Sequence, residues 1–167
     1  MLLAFDVGNT NIKAGLFVQS ELKASFRLAT DLVKTSDEYG VLVRELISAV
    51  GYRCQNVTGV IMSSVVPGIN YTLEHMIADY FHMTPHIVGP GIKTGLNILY
   101  ETPREVGADR IVNAVSAYER WGGPVIIIDF GTATTFSAVS EKGEFLGGAI
   151  CPGVKVSMEA LVRNTAK

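Results

Sequence analysis

Two aspartates close apolar runs, and each is followed two positions later by a glycine. Leu2-Leu3-Ala4-Phe5 leads into Asp6-Val7-Gly8, and Val125-Ile126-Ile127-Ile128 leads into Asp129-Phe130-Gly131. A glycine turn lets the backbone come close to a ligand, and its successive amide N–H groups can face an anion. The carboxylate itself repels phosphate, so its use would be to hold a cation, or a water on one, that neutralises phosphate oxygens. Asn9, Thr10 and Asn11 add neutral hydrogen-bonding groups beside the first turn, and Lys13 adds a positive charge on the face that Asn11 shares. Thr132, Thr134 and Thr135 supply hydroxyls beside the second. Taken singly, each motif is an ordinary β-turn, in which Asp, Gly, Asn and Thr are all common. As a matched pair on apolar strands they point to nucleotide binding, one triphosphate gripped from two sides.

A third group, Gly107-Ala108-Asp109-Arg110, stands where a loop enters a helix. Thr102-Pro103-Arg104-Glu105 has the pattern of a capping box for a short preceding helix that Gly107 ends. Asp109 then falls at the N-cap of the next helix. Two readings stay open for it. Aspartate is a preferred cap, with Arg110 solvated or in a surface pair. Alternatively, Asp109 is a general base for a substrate hydroxyl, with Arg110 available for an anionic group.

Composition narrows the classes. Of 167 residues 48% are hydrophobic and 18% charged, which excludes a disordered tail, and the net charge of −2 argues against nucleic-acid or anionic-membrane partners. No apolar run approaches the roughly 20 residues that span a bilayer. Cys54 and Cys151 are far apart and fit two core thiols in a reducing, cytoplasmic compartment. There is no G-x-x-x-x-G-K-[ST] and no G-x-G-x-x-G after a strand, so P-loop and Rossmann readings lack their fingerprints. The glycine-rich stretch from Gly89-Pro90-Gly91 reads as an irregular loop to about Tyr100. Pro85 separates His82 from His86, so His75, His82 and His86 have no metal-binding spacing.

The elements that must position these groups follow from periodicity. Strands are expected over 2–7, 12–18, 22–28, 57–62, 86–88, 134–139 and 145–150. Helices are expected behind a Thr35/Glu38 capping box, over 68–81, over about 109–121 with Ile111, Val112, Val115 and Tyr118 inward, and over 153–162. Val125 to Ile128 reads as a strand buried on both faces if its place in the sheet is central. Overlaying the two Asp-x-Gly units at an offset of 129 − 6 = 123 also matches Gly8 with Gly131 and Glu21 with Glu144. Each copy runs apolar strand, turn, strand, polar turn, strand, helix, the mark of a duplicated fold.

Four motifs occur in order: Asp6 to Lys13, Ser63-Ser64-Val65-Val66-Pro67, Gly107-Ala108-Asp109-Arg110-Ile111 with Asn113-Ala114, and Asp129-Phe130-Gly131-Thr132-Ala133-Thr134-Thr135. Spread over essentially the whole chain, they resemble the type III pantothenate kinases of the actin- and hexokinase-like phosphotransferase superfamily. The resemblance implies an α/β fold of duplicated ribonuclease H-like (actin-like ATPase) lobes, mixed sheets flanked by helices. It implies that ATP phosphorylates the terminal hydroxyl of pantothenate, opening coenzyme A biosynthesis. Asp6, Val7, Gly8, Asn9, Thr10, Asn11, Ile12 and Lys13 would form the first phosphate loop, and Thr132 would touch ATP. Asp109 would accept the proton, while Gly107, Ala108, Asp109 and Arg110 with Tyr100 would contact pantothenate. Asp129 would bind a monovalent cation (potassium or ammonium), magnesium would accompany ATP, and the enzyme would be a homodimer.

The expected division is an N-terminal lobe over 1–100 and a linker helix with the first part of a second lobe over 101–167. If the second copy matched the first it would run to roughly residue 210, so the second lobe is expected to be C-terminally truncated. On that account a nucleotide-binding regulatory or scaffold protein without transferase activity is the alternative.

Overall fold

The structure, a computed structural model, describes residues 1–89, 92–100 and 102–165. Pro90 and Gly91, which open the expected irregular loop, lie outside the described residues. The chain forms two compact units, Met1–Val88 and Gly89–Lys167.

The first unit is a five-stranded mixed sheet with two helices. Its elements are β1 (Leu2–Val7), β2 (Asn11–Val18), β3 (Glu21–Ala29), α1 (Ser36–Ala49), β4 (Gly59–Ser64), α2 (Pro67–Phe81) and β5 (His86–Val88). Strand order is β3-β2-β1-β4-β5; β1, β2 and β3 pair antiparallel, and β1, β4 and β5 pair parallel. Alternation sends Leu3, Phe5 and Val7, with Ile12, Ala14 and Leu16, Val60 and Met62, into one core. Tyr39, Val43 and Ile47 of α1 and Ile69, Leu73, Met76 and Ile77 of α2 fill the same core. The α1 capping box forms as expected: Glu38 N–H donates to Thr35 Oγ1 at 3.3 Å, and Thr35 N–H to Glu38 Oε2 at 2.8 Å.

The second unit holds β6 (Asn97–Ile98), α3 (Ala108–Trp121), β7 (Val125–Phe130), β8 (Ala133–Val139), β9 (Glu144–Pro152) and α4 (Val154–Asn164). Its sheet runs β6-β9-β8-β7, with β6 parallel to β9 and the rest antiparallel. The core is Val106, Ile111, Ala114, Val139 and Phe145, with Val115, Tyr118, Val125 and Ile127 packed against it.

Four features differ from the sequence expectation. Cys54 is buried as expected, but Cys151 on β9 is exposed and is not a core thiol. The stretch from 89 to 100 contains β6, which hydrogen-bonds to β9, so it belongs with the second unit and the division falls at 88/89. The N-cap of α3 is Gly107, and Asp109 lies inside the first turn. Finally, β7 is an outermost strand among the described residues: Val125 and Ile127 face the core, while Ile126 and Phe130 are more than 70% exposed. An all-apolar run has no alternation to reveal that only one of its faces is covered.

The duplication holds at the level of register. Asp6 stands opposite Lys13 in the first hairpin, and Asp129 opposite Thr135 in the second. The turn between β7 and β8 is one residue shorter, so counterparts on β8 are 135 − 13 = 122 apart. The next turn is longer and restores 145 − 22 = 123 on β9. Even the register shift recurs, between Leu16 and Phe17 on β2 and between Ala138 and Val139 on β8. No helix among the described residues is long and apolar enough to cross a membrane.

Gly40 of α1 lies under the ring of Tyr80 on α2, whose hydroxyl donates to Asp37 Oδ1 at 3.2 Å. A Cβ at position 40 would overlap that ring. Alanine improves helix propensity by about 1 kcal/mol, whereas overpacking costs about 1–3 kcal/mol. Gly40→Ala is therefore expected to lower unfolding stability in denaturant titration. The same substitution in a Tyr80→Ala background is expected to raise it.

Candidate functional site

The first hairpin is closed by a hydrogen bond from Gly8 N–H to Asn11 C=O at 3.0 Å. Beyond it the pleat separates two sets of side chains. Val7 and Ile12 are buried in the core, so these two members of the expected phosphate loop can offer a ligand their backbone alone. Asp6 and Lys13 face the other way, and Lys13 Nζ sits 3.2 Å from Asp6 Oδ2. Both are substantially exposed, so the pair contributes little to stability and is free to rearrange around a ligand. Ser63, aligned with Asp6 in the parallel β1–β4 register, has a buried hydroxyl with no hydrogen-bond partner among the described residues. Lys13, Asp6 and Ser63 thus form one polar row across β2, β1 and β4.

The second hairpin repeats the closure, with Gly131 N–H donating to Ala133 C=O at 3.0 Å. Asp129 is half-buried at the end of β7 and accepts a hydrogen bond from Asn113 Nδ2 at 3.4 Å. Asn113 is one turn after Asp109 on α3, and residues four apart share a helix face. Asp109, Asn113 and Asp129 are therefore brought to one side of the second unit. The Asp109 carboxylate accepts from Arg110 N–H at 2.7 Å, and its negative charge suits the N-terminal turn of α3. Thr132 is exposed in the turn, and its carbonyl accepts from Gly153 N–H at 3.0 Å.

Arg110 is buried, not solvated. Its Nε donates to Ser137 Oγ at 3.0 Å and its Nη2 to Phe136 C=O at 3.1 Å, and the guanidinium lies 5.4 Å over the Phe145 ring. Among the described residues no carboxylate comes within ion-pair distance of it, so its charge is held by neutral groups. Two glycines of β9 make room: a Cβ on Gly148 would overlap Phe136 C=O and stand 2.7 Å from Arg110 Nη2, and one on Gly147 would stand 3.0 Å from the Tyr100 ring. Gly147 also has φ +113°, which disfavours any side chain there. Tyr100 and Arg110, expected to meet the same substrate, thus approach β9 at adjacent positions. Gly107 caps α3, and Ala108 is buried behind it.

The sequence reading did not single out Ser137, Gly147 or Gly148, and it gave Asn113 no role. The i, i+4 spacing of Asn113 from Asp109 was available as a signal. Nothing local marks Ser137 as the acceptor for Arg110 across 27 positions. Asp6 lies in the first unit and Asp129 in the second.

The family model for type III pantothenate kinase matches residues 2–167. The type III pantothenate kinase of Anaeromyxobacter sp. (strain Fw109-5) is 57% identical over the whole chain, and that of strain K is 54% identical. The chain spans 66% of the length of each of these curated relatives. Among solved structures, the ethanolamine utilization protein EutJ from Carboxydothermus hydrogenoformans matches 96% of the chain with TM-score 0.53 at 17% identity, over 56% of its own length. The type II variant of the Aquifex aeolicus Ppx/GppA phosphatase matches 96% with TM-score 0.52 at 12% identity, over 55% of its length. These distant likenesses bear on fold alone, and they agree with the expected actin-like ATPase architecture. On the family match and the identity across all 167 residues, the chain belongs to the type III pantothenate kinase family.

Proposed function

We propose that the chain carries the phosphate loops and acceptor site of a kinase that uses ATP to phosphorylate pantothenate to 4'-phosphopantothenate, the first step of coenzyme A biosynthesis. The observation that carries this reading is the line of Asp109, Asn113 and Asp129 on one side of the second unit, beside a buried Arg110 with no acidic partner among the described residues. In phosphoryl transfer, positioning and charge neutralisation do most of the catalysis, and a carboxylate beside the hydroxyl suffices as base. The pantothenate hydroxyl oxygen attacks the γ-phosphorus, the bond to the β–γ bridging oxygen breaks, ADP leaves, and the hydroxyl proton passes to Asp109. Arg110 and Tyr100, seated on the paired glycines of β9, are suited to the anionic end of the substrate and its carbon skeleton. Gly107 and Ala108 bring the backbone of the α3 N-terminus to the same place.

The residues present fit the groups this chemistry needs. For ATP, the turn from Gly8 to Asn11 offers backbone amides, Lys13 offers a charge, and the orphan Ser63 hydroxyl beside Asp6 suits a polar ligand or its water. Thr132 offers the matching group in the second turn. Magnesium with ATP would be held near Asp6 and supply neutralisation of the phosphate oxygens. Asp129, an oxygen donor oriented by the Asn113 amide, suits a hard monovalent cation such as potassium or ammonium. A homodimer and a cytoplasmic location complete the proposal.

Two substitutions test it. Asp109→Asn keeps the side-chain shape but cannot take the proton, so pantothenate-dependent ADP release is expected to fall by at least about 100-fold. Because Asp109 stands in the first helical turn, loss of its charge is expected to cost only about 0.3–1 kcal/mol of stability in thermal unfolding. Equal losses of folding and turnover would return Asp109 to a structural role, and nucleotide binding without transfer in the unaltered chain would favour the regulatory alternative. Asp129→Ala is expected to abolish the rate difference between potassium and sodium buffers in the same assay; an unchanged potassium response would remove the cation from this position.

A further inference from the structure

Behind the first phosphate loop, one side chain reaches the loop from outside the hairpin. Thr30, just past β3, donates its Oγ1 hydrogen to Gly8 C=O at 2.6 Å, and its backbone N–H donates to Thr10 C=O at 3.1 Å. Thr30 thereby grips the loop at alternate carbonyls. The Gly8–Asn9 peptide is trans, so its C=O and N–H point in opposite directions. With the carbonyl drawn toward Thr30, the Asn9 N–H is turned to the other side of the loop.

Thr30 is itself held on both flanks. The hydroxyl of the fully buried Tyr39 accepts from Asp31 N–H at 2.9 Å and lies 3.1 Å from Ala29 C=O. Tyr39 is in the first turns of α1, whose start is set by the Thr35/Glu38 box. Hydrogen bonds therefore link the start of α1, through the backbone of residues 29–31, to the loop.

The second hairpin solves the same problem differently. Position 30 + 123 = 153 is a glycine, whose N–H donates to Thr132 C=O at 3.0 Å. A Cβ there would overlap the carbonyls of Gly131 and Thr132, so the second loop is pressed directly onto backbone. The first loop stands farther off and is reached by a hydroxyl.

We propose that Thr30 is a positioning residue for the nucleotide phosphates: its hydroxyl and amide hold Gly8 and Thr10 so that the Asn9 amide faces the ligand. The inference rests on the reading of Gly8 to Asn11 as a phosphate loop. Thr30→Val keeps the branched shape and removes the donor; Thr30→Ser keeps the donor. In the full chain, magnesium ATP affinity by titration calorimetry and amide hydrogen exchange at Asn9 and Thr10 are measured together with thermal unfolding.

Thr30→Val is expected to weaken ATP binding roughly three- to tenfold, the worth of one neutral hydrogen bond, and to speed exchange at Asn9. Pantothenate KM should stay within about twofold, and Thr30→Ser should restore ATP affinity. Thr30→Ala replaces the Val variant should that one fail to fold, with the same loss expected. Wild-type affinity and exchange in the Val or Ala variant, or no rescue by Ser, would overturn the positioning role. A wild-type chain that binds no ATP would instead overturn the phosphate-loop reading beneath it.

Discussion

The hydrogen bond from the glycine N–H back to the returning strand, Gly8 to Asn11 and Gly131 to Ala133, is the constraint on which the arrangement depends. It ends one strand, starts the next, and sets their register. Because side chains alternate along a strand, that register decides at once which residues enter the core and which face outward. Val7 and Ile12 are driven inward, and Asp6 and Lys13 are left opposite each other on the outer row. A shift of one residue would bury the aspartate and expose the apolar pair. Burial of Leu3, Phe5 and Val7 thus holds the acidic residue at its post.

The second unit uses the same turn but adds a helix that the turn cannot supply. On α3, Ala108, Ile111 and Ala114 pack inward, and this fixes the rotation of the helix about its axis. With that rotation set, Asp109 and Asn113 fall on one half-buried stripe, and Asn113 reaches Asp129. Arg110 is carried inside, where a guanidinium needs full hydrogen-bonding. Ser137 and the Phe136 carbonyl accept two of its N–H groups, and Gly148 leaves room for the approach. A buried cation held by neutral acceptors keeps its attraction for an anion, which is why the proposed acceptor site is centred there.

Much of this was legible in the residues. The hairpins, the α1 capping box, both central helices and the repeat all leave local marks: alternation, a cap pair, a helical period, a glycine after an acid. The cap was misplaced by two residues because Gly107 and Asp109 are both acceptable caps, and the choice between them follows from how Val106 and Ala108 pack. The brief β6 was invisible for a different reason. Two residues carry no period, and they form a strand because β9 offers its edge.

Local chemistry along the chain therefore determined the two Asp-x-Gly turns, their flanking strands and helices, and the family to which they belong. Tertiary structure alone decided that Arg110 is buried against Ser137, that Arg110 and Tyr100 approach neighbouring glycines of β9, that β7 borders the sheet among the described residues with Ile126 and Phe130 exposed, and that Thr30 clamps Gly8. The physical reason is range. Turn and helix preferences act over a few neighbours, whereas these contacts join residues 22 to 38 positions apart for the Thr30 and Arg110 partners, brought together by sheet register and by the burial of apolar faces.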